Sequence, residues 1–174
     1  MFIGGLQKVT LIDYPGKIAC TVFCLGCNFR CGFCYNKELV LPEKTKSQIK
    51  IPEKEFFNFL KGRKNLLQGV TVSGGEPTIY EDLPDFIKKI KKLDYFVKLD
   101  TNGSNPEMLK DLIEKKLIDY VAMDIKAPLI NTKYTQITGI KGILNKVKKS
   151  IKIIKNSGLD YEFRTTIVPT FHTK

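Results

Sequence analysis

All five cysteines of the 174-residue chain fall in one stretch, at Cys20, Cys24, Cys27, Cys31 and Cys34, and none lies elsewhere to close a long loop. A secreted disulfide framework would distribute them, so this clustering points to metal or redox chemistry in a reducing compartment. The stretch contains the spacing Cys-x3-Cys-x2-Cys twice, sharing Cys27. In the first register the residues between Cys20 and Cys24 are Thr21, Val22 and Phe23, which are strand formers. A strand sends alternate side chains to opposite faces and does not gather three thiolates around one centre. The second register, Cys27, Cys31 and Cys34, runs through Gly26, Asn28, Arg30 and Gly32, residues of a loop that can curl. Paired zinc ligands are usually separated by roughly a dozen residues, whereas only three intervene between Cys27 and Cys31. Three thiolates suit a [4Fe-4S] cubane, because one of its irons is then left without a protein ligand and open to a small molecule.

Such a loop needs a scaffold that converges other groups on it. Residues 17–23 read as a strand that follows the turn signal Asp13-Tyr14-Pro15-Gly16 and leads straight into the cysteines. After it, strand character at 69–73, 95–99, 120–125 and 161–168 alternates with helical spacing at 52–63, 83–92, 106–116 and 143–155. This rhythm predicts an α/β fold with a parallel sheet and right-handed crossovers. An eight-unit barrel needs about 250 residues, roughly 31 per unit, so the chain has room for five or six units. An open, partial barrel or a doubly wound sheet remains, and both place chemistry at the C-terminal strand ends. Ser73-Gly74-Gly75-Glu76-Pro77 ends one strand there, Asp100 and Asp124 end two more, and Lys126 and Arg164 lie near strand ends.

Cys27-x3-Cys31-x2-Cys34, with Phe33 before the last cysteine, resembles the signature of the radical S-adenosylmethionine (SAM) superfamily, and Gly74-Gly75-Glu76 resembles that family's segment beside the methionine amino group of SAM. TLIDYPGK (10–17), GCNFRCGFCYN (26–36), DTNG (100–103), MDIKAP (123–128), YTQITG (134–139) and RTTIVP (164–169) narrow the resemblance to glycyl radical enzyme activating enzymes, and within them to activating proteins of anaerobic ribonucleoside-triphosphate reductase. The resemblance implies a partial, open parallel β/α barrel, a single domain over residues 1–174 that ends after strand five, where relatives continue through a further helix and strand. It implies an enzyme that uses a [4Fe-4S] cluster on Cys27, Cys31 and Cys34 to cleave SAM to a 5′-deoxyadenosyl radical, which takes a hydrogen from a glycine of a partner. The implied SAM-binding residues are Phe33 by the adenine, Gly74, Gly75 and Glu76 by the methionine, Asp100 and Asp124 beside SAM with a monovalent cation, and Lys126 and Arg164 on its carboxylate or ribose. The implied partners are an anaerobic ribonucleotide reductase and a flavodoxin- or ferredoxin-type electron donor. Lys17, Arg30 and Lys37 are expected near the anionic cluster, Cys20 as a core thiol, Cys24 as a bystander or an added ligand or redox partner, and His172 without a role.

Composition sets the remaining bounds. The net charge of +11 admits nucleic acid, an anionic membrane surface or an acidic partner. Only Arg30, Arg63 and Arg164 are arginines, and the lysines concentrate in helical stretches such as 87–92 and 146–155, as on ordinary solvated helix faces. Nucleic acid and membrane are therefore not expected as partners, and without an export signal at residues 1–10 the expected location is cytoplasmic. The competing readings are an activase of another glycyl radical enzyme of the pyruvate formate-lyase type, a radical SAM enzyme acting on a small molecule, and a basic metal-binding module on nucleic acid.

Overall fold

The computed structural model describes residues 1–169 and 172. Its sheet has six strands in chain order: β1 (Ile3–Thr10), β2 (Ala19–Cys24), β3 (Gly69–Gly74), β4 (Phe96–Thr101), β5 (Tyr120–Asp124) and β6 (Asp160–Arg164). Strands β2 to β6 are mutually parallel, and β1 pairs antiparallel with β2. Because β1 and β6 are not joined to each other, the sheet curls without closing. The five parallel strands are the expected ones; β1 is an addition. Its sequence IGGLQKVT carries two glycines and no regular alternation, so it lacks the pattern that marks a half-buried strand.

Helices α1 (Lys37–Val40) and α2 (Pro42–Thr45) are single turns after the cysteine loop. Four longer helices, α3 (Glu53–Lys61), α4 (Leu83–Lys91), α5 (Pro106–Glu114) and α7 (Leu144–Lys155), are the crossovers, with α6 (Asn131–Thr138) a short insertion before α7. Proline opens α4 and α5 at a position where its missing N–H costs nothing. The apolar stripes of the helices cover one face of the sheet; the rings of Phe56 on α3 and Phe86 on α4 stack with centroids 5.5 Å apart.

The register separates two faces of opposite character. Val22, Val72, Leu99, Val121 and Tyr161 lie side by side across β2 to β6 on the face toward the helices, where the first four are buried. One residue earlier, Thr21, Thr71, Lys98, Tyr120 and Asp160 line up across the concave face. Parallel strands covered on both sides usually read as unbroken apolar runs. Here alternation inside each strand provides a core on one side and a polar lumen on the other.

The segment after β1 plugs the lower end of that lumen. Thr21 Oγ1 donates to Asp13 Oδ2 at 2.6 Å, Thr71 Oγ1 to the Asp13 carbonyl at 3.4 Å, and the Tyr14 ring tilts against Tyr120 at 6.0 Å. The TLIDYPGK stretch thus closes the end opposite the cysteines. Lys17 belongs to that end, its ammonium 3.7 Å from the centre of the Phe96 ring. It is separated from the cysteine loop by the length of β2, on the order of 20 Å, so the expectation that it eases electron entry is corrected.

Candidate active site

At the C-terminal rim of the sheet lies a cavity of about 370 Å³, walled by the cysteine loop on one side and by the ends of β3 to β6 on the other. Cys27, Cys31, Phe33, Cys34, Gly74, Gly75, Asp100, Asp124, Lys126 and Arg164 all reach its wall. Ten of the eleven expected site residues are therefore together. Glu76 is the exception.

The loop is fixed from several directions. The Gly26 N–H donates to the Leu39 carbonyl at 2.6 Å, and the Arg30 N–H to the Thr138 carbonyl at the end of α6 at 2.8 Å. The Arg30 guanidinium donates to the carbonyls of Cys27 and Phe29, so it braces the loop that holds the thiols. Gly139, at φ 72°, ends α6 in the left-handed region and lets the chain pass Arg30. Tyr134, fully buried on the same helix, accepts from the Lys126 N–H. The YTQITG stretch thereby ties the cysteine loop to the end of β5.

Burial raises the Cys27 thiol to about 11, against a hydrogen bond from the Phe29 N–H. Burial also raises Cys31, with Lys126 opposing it. Cys20 and Cys24 sit on β2 and are fully buried. Burial takes Cys20 to about 12, as for an inert core thiol, and pushes Cys24 higher still. Neither reaches the cavity wall.

Gly74 and Gly75 owe their identity to the cysteine loop as much as to the cavity. Gly74 adopts φ 114°, and a Cβ there would lie 2.3 Å from the Cys24 nitrogen. On Gly75 it would lie 1.8 Å from the Gly26 carbonyl oxygen. The close approach is sealed by hydrogen bonds from the Gly75 N–H to Cys24 and from the Glu76 N–H to Gly26, both 2.9 Å. Bare backbone at the end of β3 thus carries the base of the loop.

Glu76 is 1% exposed and does not reach the cavity wall. Its carboxylate accepts from the Thr78 N–H at 3.1 Å and hydroxyl at 2.5 Å, from the Thr101 hydroxyl at 2.7 Å and from the Asn102 N–H at 2.6 Å. Burial pushes this carboxyl up, and donors from Thr78, Asn102 and Thr101 pull it back. Three of these donors meet Oε1 and the Asn102 N–H alone meets Oε2, so Glu76 organises the turn after β4 from outside the cavity wall, whereas the sequence places it among the cofactor-binding residues.

The lumen side holds an alternating ionic ladder. Lys98, 1% exposed, reaches Asp100 Oδ1 at 2.6 Å, and Ser73 Oγ donates to Asp100 Oδ2 at 2.9 Å. The Arg164 guanidinium spans Asp100 at 3.4 Å and Asp124 at 3.1 Å, and Lys126 meets Asp124 at 2.7 Å. Glu162 lies 3.7 Å from Lys98 and 3.8 Å from Arg164. Desolvation works to lower both Lys126 and Arg164, but Asp124 beside Lys126, and Asp100 and Asp124 beside Arg164, outweigh it and raise them. Both side chains therefore stay charged at the wall.

Several residues of this site carried no separate sequence signal. Ser73, Thr101, Asn102, Tyr35 and Thr166 line the cavity, and His172 packs its ring edge-on to Phe33 at 6.4 Å with Nε2 3.2 Å from the Lys126 carbonyl. Ser73, Thr101 and Asn102 sit inside the motifs already singled out, so the signal for them was adjacency.

The donor set fits an iron–sulfur cluster with one open iron: three sulfurs on one loop at the mouth of a cavity, faced by cations and by bare glycine backbone. Comparison with known proteins agrees. Residues 21–173 match the Radical SAM superfamily. A Methanocaldococcus jannaschii protein with the provisional name glycyl-radical enzyme activating enzyme is 35% identical over 96% of this chain and 68% of its own length. The anaerobic ribonucleoside-triphosphate reductase-activating protein of Escherichia coli is 28% identical over 69% of this chain and 84% of its own. GTP 3′,8-cyclases match at 27% to 32% identity, over 74% to 82% of this chain and 39% to 43% of theirs. Among solved structures, QueE from Escherichia coli superposes with a TM-score of 0.52 at 13% identity, covering 95% of this chain and 94% of that one, which supports the fold alone. By its matched signature and by this relative of about one-third identity, the chain belongs to the radical SAM superfamily and, within it, to the glycyl-radical enzyme activating enzymes.

Proposed function

We propose that the protein generates a glycyl radical on an anaerobic ribonucleoside-triphosphate reductase. The observation that carries the reading is the convergence of Cys27, Cys31 and Cys34 with Asp100, Asp124, Lys126 and Arg164 around one cavity in a chain whose motifs run in the order of such activases. The chain spans about two thirds of the Methanocaldococcus relative, so substrate and partner are part of the proposal.

Cys27, Cys31 and Cys34 would hold the [4Fe-4S] cluster, and when bound the cluster and SAM supply one-electron cleavage to a carbon radical. The chain's own work is positioning and charge. Lys126 and Arg164, held charged by Asp124 and Asp100, face the cavity where a SAM carboxylate would lie. Asp100 and Asp124 offer acceptors for ribose hydroxyls or an ammonium group, and Phe33 offers an apolar wall for adenine. A monovalent cation between Asp100 and Asp124 would have to displace Arg164, so the arrangement favours the protein's own guanidinium there.

The net charge of +11 fits an acidic flavodoxin- or ferredoxin-type electron donor. Among the described residues no helix is long and apolar enough to cross a membrane, and five unpaired cysteines suit the reducing cytoplasm. The test is anaerobic reconstitution with iron and sulfide, then reductant, SAM and candidate partners. Methionine, 5′-deoxyadenosine and a glycyl radical signal on the reductase support the reading. A signal only on pyruvate formate-lyase moves the assignment to that partner class, and iron binding without SAM cleavage overturns it.

A further inference from the structure

We propose that Asn102 is a positioning residue that donates an N–H···S hydrogen bond to Cys27 and thereby sets the reduction potential of the cluster. The inference rests on the cluster reading above. Asn102 is 5% exposed, in the turn after β4, and its amide Nδ2 lies 3.7 Å from Cys27 Sγ and 3.0 Å from Asn28 Oδ1. Its orientation is fixed by its neighbours. The Asn102 Oδ1 accepts the Ser104 N–H at 2.9 Å, so the NH2 group must face Cys27 and Asn28. Asn28 is oriented in turn, because its Nδ2 donates to Ser104 Oγ at 2.8 Å and leaves Oδ1 as the acceptor. The Asn102 backbone N–H is held by the buried Glu76 carboxylate at 2.6 Å. A continuous set of hydrogen bonds therefore runs from the end of β3, through the turn, to one cluster sulfur.

The physical consequence has a definite sign. Adding an electron to an iron–sulfur cluster increases the negative charge on its sulfurs, and a fixed N–H donor stabilises the more negative state. Asn102 therefore raises the potential and eases reduction. The Phe29 N–H, 3.3 Å from the same sulfur, acts in the same direction but is backbone and present whatever the side chain.

The experiment is a redox titration of the reconstituted protein, followed by the electron paramagnetic resonance of the reduced cluster, in wild type, Asn102→Ala, Asn102→Asp and Asn28→Ala. Asn102→Asp keeps an acceptor for Ser104 but has no donor. Asn28→Ala loosens the loop while leaving the Asn102 donor in place. Both Asn102 variants should retain full iron content and show a midpoint lowered by about 59 mV, a tenfold shift in the oxidised-to-reduced ratio for one electron. Asn28→Ala should fall by clearly less. Unchanged midpoints in both Asn102 variants overturn the proposal, as does an equal fall in Asn28→Ala. Loss of the cluster in both Asn102 variants assigns the residue to holding the loop and also overturns it. Failure of the wild type to take up iron would instead sink the cluster reading itself.

Discussion

A thiol buried on a strand and a thiol at a cavity mouth differ only in surroundings, yet the difference decides which can bind metal. Cys27, Cys31 and Cys34 are partly exposed and share one wall, whereas Cys20 and Cys24 are enclosed on β2. Replacing Cys27, Cys31 or Cys34 by Ala should each abolish the broad iron–sulfur absorption after anaerobic reconstitution. Cys20→Ala should keep full iron content and lose about 1 to 2 kcal/mol of stability to the small void it leaves. Elemental analysis for iron and sulfide checks both, and loss of iron in Cys20→Ala alone would show that the first register is the ligand set. At this scale the cysteines were legible because their types and spacing carry the chemistry. The burial of Glu76 was not, since sequence places it at the site but cannot show that its carboxylate is buried on donors from Thr78, Thr101 and Asn102.

The strand ends and the loops above them form a single built element, and Glu76 and Lys98 are its internal fastenings. Glu76→Ala would strand four buried donors in the turns after β3 and β4. Leaving such donors unpaired should cost about 3 to 5 kcal/mol, read as a lowered denaturant midpoint with the same slope, and should loosen the cysteine loop. Lys98→Met keeps the length of the side chain but removes the cation closest to Asp100 in a buried setting. Breaking that pair should cost about 3 kcal/mol, and SAM affinity measured calorimetrically should weaken because Asp100 then competes for Arg164. Unchanged SAM affinity in a folded Lys98→Met protein would separate the ladder from the binding site. Parallel strands β2 to β6 were legible from alternation with helices, and their C-terminal carboxylates with them. The antiparallel β1 and the plugging role of Asp13 and Tyr14 were not, because edge pairing and lumen closure come from contacts distant in sequence, such as Thr71 to Asp13.

Over the whole molecule, charge is divided between an outer coat and an inner ladder. The lysines of α4 and α7 lie mostly on exposed helix faces, where Lys88, Lys89 and Lys149 already meet Asp85, Glu53 and Glu107. That arrangement suits solubility and steering more than a groove for nucleic acid. Inside, Lys98, Lys126 and Arg164 face Asp100, Asp124 and Glu162, and the ladder is neutral until a ligand arrives. A ligand that joins the cysteine loop to these strand ends links the two walls of the cavity, and it can do so only in the folded state. Binding should therefore raise the melting temperature of the reconstituted protein. At a SAM concentration 100 times the dissociation constant the gain is about 2.7 kcal/mol, or about 5 to 10 °C for a chain of this size. Arg164→Ala, if it weakens SAM tenfold, loses about 1.4 kcal/mol of that gain at the same concentration and should show roughly half the shift. The measurement is differential scanning fluorimetry under anaerobic conditions, with S-adenosylhomocysteine as a second ligand. Equal shifts for wild type and Arg164→Ala would mean that SAM stabilises the protein without using the ladder, and the cavity assignment would then have to move away from β6.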